Sequence, residues 1–346
     1  MANKLRIAVL GMAHDHLWSN LASLAELDDA ELVAGADENP LLLERFKERS
    51  GCDKVYDNYD ALLEAEKPDA VFAFSATARH ADIVELCAPR GMHTMVEKPM
   101  AASLEQADRM LAAARKSDTC LMVNWPSAWN RDKRTAYRLV CEEAIGQVWQ
   151  FTWRGGHGGP DELGCSDEFC QFLFDKDENG AGAFFDYGGY GASLCLLFLG
   201  GSPNSVSAMA GRLLKTHIPV DDNGIALLRY AHALCRLEMT WTDAIPYKHA
   251  KDIVIYGSEG TLVLDGEVTL YTRENKEGES VPLDELPPGQ RNGPEHFVHC
   301  IRNGIDPQFQ SNPDLSRDTQ EVMEAALHSA TSGVEIALPM EDHLFR

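Results

Sequence analysis

Leu5-Arg6-Ile7-Ala8-Val9-Leu10-Gly11-Met12-Ala13-His14-Asp15-His16 joins a short apolar run to a glycine and then to an amphipathic stretch. The run reads as a buried strand, Gly11 as a tight turn, and His14 to Leu27 as a helix. The unit recurs. Glu31-Leu32-Val33-Ala34-Gly35-Ala36 ends at Asp37 and precedes a helix from about Pro40 to Arg49. A helix from Asp57 to Glu66 leads to the strand Ala70–Phe74, and one from Arg79 to Pro89 leads to His93-Thr94-Met95-Val96. Ser103 opens a helix with Leu104, Ala107, Met110, Leu111 and Ala114 on one face, followed by Cys120-Leu121-Met122-Val123. Apolar strands alternating with amphipathic helices predict a parallel sheet covered on both faces, an α/β domain over residues 1–124.

After Asn124 the pattern changes. One helix is predicted from Arg131 to Glu143, then strands at 148–154, 206–214, 224–230, 234–240, 252–256, 261–264 and 268–272. A single apolar helix, Phe184 to Leu199, interrupts them, and Gly257-Ser258-Glu259-Gly260 is a hairpin turn. Glu274 to Gly293 reads as a surface loop, Pro294 opens a helix to about Asn303, and Arg317 to Gly333 is a last amphipathic helix. Residues 125–346 are therefore expected to form an α+β domain on a large, mostly antiparallel, open-faced sheet, with the last helix packing back on the first domain. With one helix to cover it, that sheet would keep an apolar face for a partner subunit, giving a homodimer or homotetramer.

The chain has 346 residues and a formal net charge of −23, which disfavours nucleic acid and anionic membranes as partners. No apolar run is long enough to span a bilayer, and the start has no signal-peptide pattern. The nine cysteines are scattered without metal-ligand spacing, as expected of reduced thiols in a cytoplasmic protein.

The chemistry-bearing residues sit at strand ends, where an α/β sheet of this kind lines a ligand crevice. Gly11, Met12, Ala13 and His14 form a first turn that keeps the leading glycine of G-x-G-x-x-G but has Ala13 and His16 in place of the other two. Its helix start would offer N–H groups to a diphosphate. Asp37, about two dozen residues on, can accept from ribose hydroxyls or cap the next helix; with Glu38 it would repel a 2′-phosphate, so NAD is favoured over NADP. Ser75, Thr77 and His80 would lie beside a cofactor, with helix capping the other reading of Thr77. Glu97-Lys98-Pro99 puts a lysine on a stiff turn at a strand end, and Asn124 ends the next strand. In the second half Asp186 and Tyr190 share a helix face in a glycine-rich stretch that leaves room for a ligand, a set suited to proton transfer or else a capping Asp and a packed Tyr. No metal site is expected: His14 and His16, at i and i+2, would not share a helix face.

In order, the glycine turn, Asp37, the 77–80 segment, Gly91-Met92-His93 leading to Glu97-Lys98-Pro99, Asp186/Gly188/Tyr190 and Ser329–Gly333 resemble the Gfo/Idh/MocA oxidoreductases over nearly the whole chain. The resemblance implies a Rossmann domain holding NAD, with Lys98 between nicotinamide and substrate. It matches Asp-x-Gly-x-His-x-x-Asp to Asp186, Gly188, Tyr190 and Ser193. Tyr190 then inherits the acid/base role of the histidine, as in the branch with glucose–fructose oxidoreductase, and the second aspartate is absent. It also implies that His157, in the loop after the first strand of the second domain, contacts substrate, the other reading being a loop-packing role. Trp125 reads as a packed aromatic. The implied activity is NAD-dependent hydride transfer to or from a sugar, polyol or related hydroxylated ring, with Lys98, Asp186 and Tyr190 catalytic. Alternatives are an NAD-retaining lyase or glycosidase without net redox change, and a non-catalytic NAD- or sugar-sensing protein.

Overall fold

The computed structural model describes residues 3–244 and 252–340. The first sheet is built from β1 (Leu5–Leu10), α1 (Leu17–Ala25), β2 (Ala30–Ala36), α2 (Pro40–Ser50), β3 (Val55–Tyr56), α3 (Tyr59–Glu66), β4 (Ala70–Ala73), α4 (His80–Cys87), β5 (His93–Glu97), α5 (Leu104–Ser117) and β6 (Leu121–Asn124). Its order is β3-β2-β1-β4-β5-β6, all parallel. Strand order reverses between β1 and β4, so their carboxyl ends flank the crevice where such sheets take ligands. Side chains alternate across the sheet. Ile7, Val9, Phe72, Met95 and Met122 join one apolar cluster with α1 and α2. Ala8, Leu10, Val71, Val96 and Val123 face the other way, into a cluster shared with α4, α5 and the second half of the chain. Asn39, Asn58 and Ser103 cap α2, α3 and α5 by accepting backbone N–H groups.

The remainder runs α6 (Arg131–Cys141), β7 (Val148–Gly156), α7 (Asp167–Leu173), α8 (Lys176–Asn179), α9 (Ala183–Leu199), β8 (Ser205–Gly211), β9 (Asn223–Arg229), β10 (Leu234–Thr240), β11 (Asp252–Gly257), β12 (Gly260–Leu264), β13 (Val268–Thr272), β14 (Glu279–Val281), α10 (Gly293–Asn303), α11 (Pro313–Ser332) and β15 (Ile336–Ala337). The strands form one sheet, β14-β13-β12-β11-β7-β10-β9-β8-β15. Its ladders are antiparallel except β7 with β10, so the predicted α/β plus α+β architecture is the one observed.

Several elements differ from expectation. Among the described residues more than one helix covers the sheet: α9 and α11 lie on it and α6 reaches β12 and β13, while α11 lies along β8 and α9 and also reaches α5. Helix α10 returns to the first sheet, packing on α1 with Phe297 against Phe72 at 6.0 Å. Helix α11 begins at Pro313 rather than Arg317, because Asn312 caps it and proline fits its first position. The loop 274–293 contains the edge strand β14; β3, β15 and α8 are further elements that periodicity does not predict, and α7 is one more helix absent from the expectation. Helix α1 starts at Leu17 rather than His14, because the preceding residues are engaged in the crevice.

Helix α9 also corrects the reading of its glycines as room for a ligand. A Cβ at Gly188 would meet Met323 at 2.2 Å, at Gly189 Trp125 at 2.6 Å, and at Gly191 Trp153 at 2.8 Å. These glycines seat α9 against its neighbours. The far face of the sheet stays open: Ile225 and Leu227 of β9 are about half exposed, and Met209, the partner of Ile225 on β8, is more so.

Candidate active site

Gly11 has φ +77°, and a Cβ there would come within 2.5 Å of Ser75 Cβ. Glycine alone lets the β1 turn close against the end of β4. Beyond it the backbone is tied down: Met12 N–H donates to Asp37 Oδ2 at 2.7 Å, His14 N–H to Phe74 O at 2.8 Å, and His16 N–H to His14 Nδ1 at 3.2 Å. Three of the N–H groups expected to face a diphosphate are thus engaged within the protein, and among the described residues those of Ala13 and Asp15 are left. Asp37 also accepts from Asn39 N at 2.8 Å, one bond per oxygen, which leaves each oxygen a lone pair for a ribose hydroxyl. Burial raises the Asp37 pKa against the lowering effect of those two bonds.

Glu97, fully buried at the end of β5, collects donors from three elements. Its Oε2 lies 3.1 Å from both Lys98 N and His16 Nδ1, and its Oε1 accepts from the Asn124 amide on β6. His14 Nε2 is 3.7 Å from Oε2. The side-chain ligand atoms of His14, His16 and Glu97 lie within 4.8 Å of one another, so the ground for expecting no metal fails: neither histidine is on α1, and both turn toward one carboxylate. Yet His14 Nδ1 receives the His16 N–H, which puts the proton of a neutral imidazole on Nε2, facing Glu97. Holding a cation there requires the other tautomer and the loss of that bond. Burial first, then His16 and Lys98, lowers the His14 pKa well below the ordinary histidine value.

The lysine and the second-half residues converge. Lys98 Nζ is ion-paired with Asp186 Oδ1 across the two halves of the chain, both groups nearly fully buried. Asp186 Oδ2 accepts from Trp241 Nε1 at 3.2 Å. The same ammonium is 5.2 Å from the ring centre of Tyr190. Burial works against the Lys98 charge, but the Asp186 carboxylate, with Tyr190 and Glu97, outweighs it and the pKa is raised. Burial likewise works against the Asp186 charge, and Lys98 outweighs it, so its pKa is lowered. Both shifts describe one pair held charged. Tyr190 also meets Trp125 edge-on at 5.2 Å, and the Trp125 indole donates to Ser316 Oγ. A cavity of about 280 Å³ opens beside Tyr190, lined by Ser127, Asn130, Lys133, Trp153 and Tyr187.

His157 is buried and edge-on to Tyr187; its Nδ1 accepts Gly159 N–H at 2.8 Å, so a neutral ring carries its proton on Nε2. Burial lowers its pKa. Ser75 backs Gly11. The Thr77 hydroxyl neither caps a helix nor stays open; it donates to Asn179 Oδ1 of α8. His80 lies beneath the Lys98–Met100 turn, with Nδ1 3.1 Å from Met100 O, while its buried Nε2 has no hydrogen-bond partner among the described residues. Ser193, in the slot of the second aspartate, bonds Tyr190 O and Gln310 and is structural. Sequence reading missed Trp241 and the residues of α7. Trp241 carries no spacing signal, whereas Ser166 before Asp167 and Glu168, with Phe169, Phe172 and Leu173 at helical spacing, is a legible short helix.

A doubly wound parallel sheet whose crevice adjoins a buried lysine–aspartate pair on an open-faced sheet is the frame of a nucleotide-binding fold with a second, β-rich part. The sequence model of the oxidoreductase family with an NAD-binding Rossmann fold matches residues 5–125, and that of the GFO/IDH/MocA C-terminal domain matches 134–263; the chain belongs to the Gfo/Idh/MocA oxidoreductase family. It is 25% identical to dTDP-3,4-didehydro-2,6-dideoxy-alpha-D-glucose 3-reductase of Streptomyces antibioticus over 92% of this chain and 95% of that one. It is 24% identical to D-apiose dehydrogenase of Paraburkholderia graminis over 94% and 86%. Among solved structures, the aldose–aldose oxidoreductase from Caulobacter crescentus, complexed with glycerol, superposes with a TM-score of 0.82 at 21% identity, covering 97% of this chain and all of that one. The WlbA dehydrogenase from Bordetella pertussis, with NADH and UDP-GlcNAcA, gives 0.80 at 22%, covering 98% and 100%. Among the described residues no helix is long and apolar enough to cross a membrane.

The buried histidines set a pH dependence. Burial lowers the pKa of His14, His80, His93, His157 and His296. The unfolded chain, whose histidines titrate near ~6.5, then binds more protons than the folded one on the acid side of that value. Stability is complete above it and lost as pH falls toward the folded-state values. Urea midpoints should therefore drop between about pH 7.5 and about pH 5.5, and His14→Asn should flatten the drop; a midpoint constant over that range would contradict it.

Proposed function

We propose that the protein is an NAD-dependent dehydrogenase or reductase acting on a sugar, polyol or related hydroxylated ring. The observation that carries this is the Lys98–Asp186 ion pair set against the Tyr190 ring, at the mouth of a crevice whose turn suits a dinucleotide. The fit of a dinucleotide rests on the glycine-only turn at Gly11, the two N–H groups beyond it, and the lone pairs left on Asp37. Nicotinamide would supply the hydride acceptor or donor. The chain's own groups do the rest: the substrate ring stacks on the aromatic wall of the cavity, and the Tyr190 oxygen takes or returns the hydroxyl proton. Lys98, held as an ammonium by Asp186, stabilises charge developing on the phenol and substrate oxygens. The relatives named for work on deoxy sugars and apiose support a carbohydrate, and the cavity suits one ring of modest size. A screen of NAD⁺ reduction over sugars, inositols and sugar acids tests the assignment. Turnover without added cofactor and without net redox change would support the lyase or glycosidase reading instead.

On this reading Lys98→Met and Tyr190→Phe should each cut turnover by ~10²–10⁴-fold while NADH affinity stays within a few-fold, and the double variant should be little worse than the worse single one. Losses that multiply fully would separate the two groups. NADH should bind more tightly than NADPH in a fluorescence titration, because Asp37 and Glu38 would face a 2′-phosphate; Asp37→Ala should weaken NADH and narrow the difference. The open face carrying Met209, Ile225 and Leu227 should pair subunits into a dimer or dimer of dimers. Light scattering at micromolar concentration should show that species, and Ile225→Glu should shift it toward monomer.

A further inference from the structure

Helix α7 and the short α8 arise from the second half of the chain, yet their side chains grip the rim of the crevice in the first. Ser166, the N-cap of α7, gives both its N–H and its hydroxyl to Asp15, at 2.7 and 2.8 Å. Glu168 takes the Arg45 guanidinium of α2 with both oxygens, at 3.1 and 3.4 Å. Glu178 takes Arg79, and Asn179 accepts from Thr77 at 2.8 Å. Between these polar grips the Phe169 ring sits 4.5 Å from His14, with Phe172 at 5.9 Å. Every first-half partner is on the rim of the crevice: Asp15 and His14 on the turn after β1, Arg45 on the helix after β2, and Thr77 and Arg79 after β4. Against this bridge His14 and Thr77 are buried, and the neighbouring crevice residues Met12, Asp37, Ser75 and Lys98 are buried too. The segment is flanked by Gly164 and Gly180, both at positive φ, where the backbone can change direction without a Cβ penalty.

We propose that α7 and α8 are a clasp over the cofactor crevice, which must release Asp15 and Arg45 before a dinucleotide can enter or leave. The inference rests on the cofactor reading above. A bridge of this kind raises the barrier to exchange in both directions, so it controls rates more than affinity. Its ionic grips are partly exposed, so salt loosens them. Its aromatic grip, Phe169 on His14, is not screened.

The test is stopped-flow NADH binding and release, read by nicotinamide fluorescence. Asp15→Asn/Glu168→Gln should raise both association and dissociation rates by about tenfold or more, as expected when bonds to charged groups are removed; Phe169→Ala, separately, should raise both as well, and in each case Kd should change much less. Asp15→Cys/Ser166→Cys gives a second, independent arm. Reduced, it should exchange NADH faster than the native protein; once the cross-link is formed and located by peptide mapping, exchange should nearly stop, and dithiothreitol should restore it. Circular dichroism establishes that each variant is folded. Unchanged rates in the loosened variants, rapid exchange in the cross-linked one, or a large loss of affinity at an unchanged association rate would overturn the clasp while leaving the cofactor assignment standing. Failure of every form, native included, to bind NADH would overturn both.

Discussion

The buried ion pair between Lys98 and Asp186 is the interaction on which the rest of the site depends. Taking two charges out of water costs several kcal/mol per ion after relaxation, and their attraction offsets this only when the remaining hydrogen-bonding capacity is also met. Here Asp186 has the ammonium on one oxygen and the Trp241 indole on the other, while the ammonium lies near the face of Tyr190 as well. Because Lys98 follows β5 and Asp186 lies in the first turn of α9, the pair also joins the two sheets. Removing either partner would leave an uncompensated charge between them, so these groups hold the geometry as well as the proposed chemistry.

Glu97, the residue before the lysine, has a related role. Its carboxylate draws His16 from the turn after β1, Asn124 from the end of β6, and the Lys98 backbone N–H to one point. Three strand ends that a parallel sheet merely sets side by side are thereby fixed relative to one another. His80 supports the same turn from below through Met100 O. The Glu-Lys-Pro segment thus acts as a node: its glutamate organises the first half of the chain, and its lysine engages the second.

This division explains what could be read in the sequence. The β1 turn, Asp37 and Lys98 were legible because each follows directly from a local strand–helix pattern, and in such a fold strand ends converge by topology. Asp186 and Tyr190 were legible from their i, i+4 spacing, but their glycine-rich setting was misread: backbone glycine signals close approach without saying whether a ligand or a tryptophan approaches. The His14–His16–Glu97 cluster was missed because it depends on α1 starting at Leu17, and helix ends are where periodicity informs least. Trp241 was invisible for a different reason. Its role comes from a hydrogen bond to a residue 55 positions away, and nothing local in the stretch after β10 marks it. The grip of α7 on Asp15 and Arg45 similarly joins segments over a hundred residues apart.

The charge state of the pair also limits how the proposed chemistry can be divided. A lysine whose pKa is raised by a buried carboxylate is a poor general base at neutral pH, because accepting a proton first requires losing one. Asp186 is no better placed, since its pKa is lowered and both oxygens already have partners. His157 carries the proton of its neutral form on Nε2, with Nδ1 engaged by Gly159, so it offers a donor rather than an acceptor. The phenol of Tyr190, which lines the cavity, sets an ionisable group near the fixed positive charge of Lys98 without being its ion-pair partner. The arrangement therefore favours a proton exchanged at the tyrosine oxygen under a lysine that keeps its charge throughout.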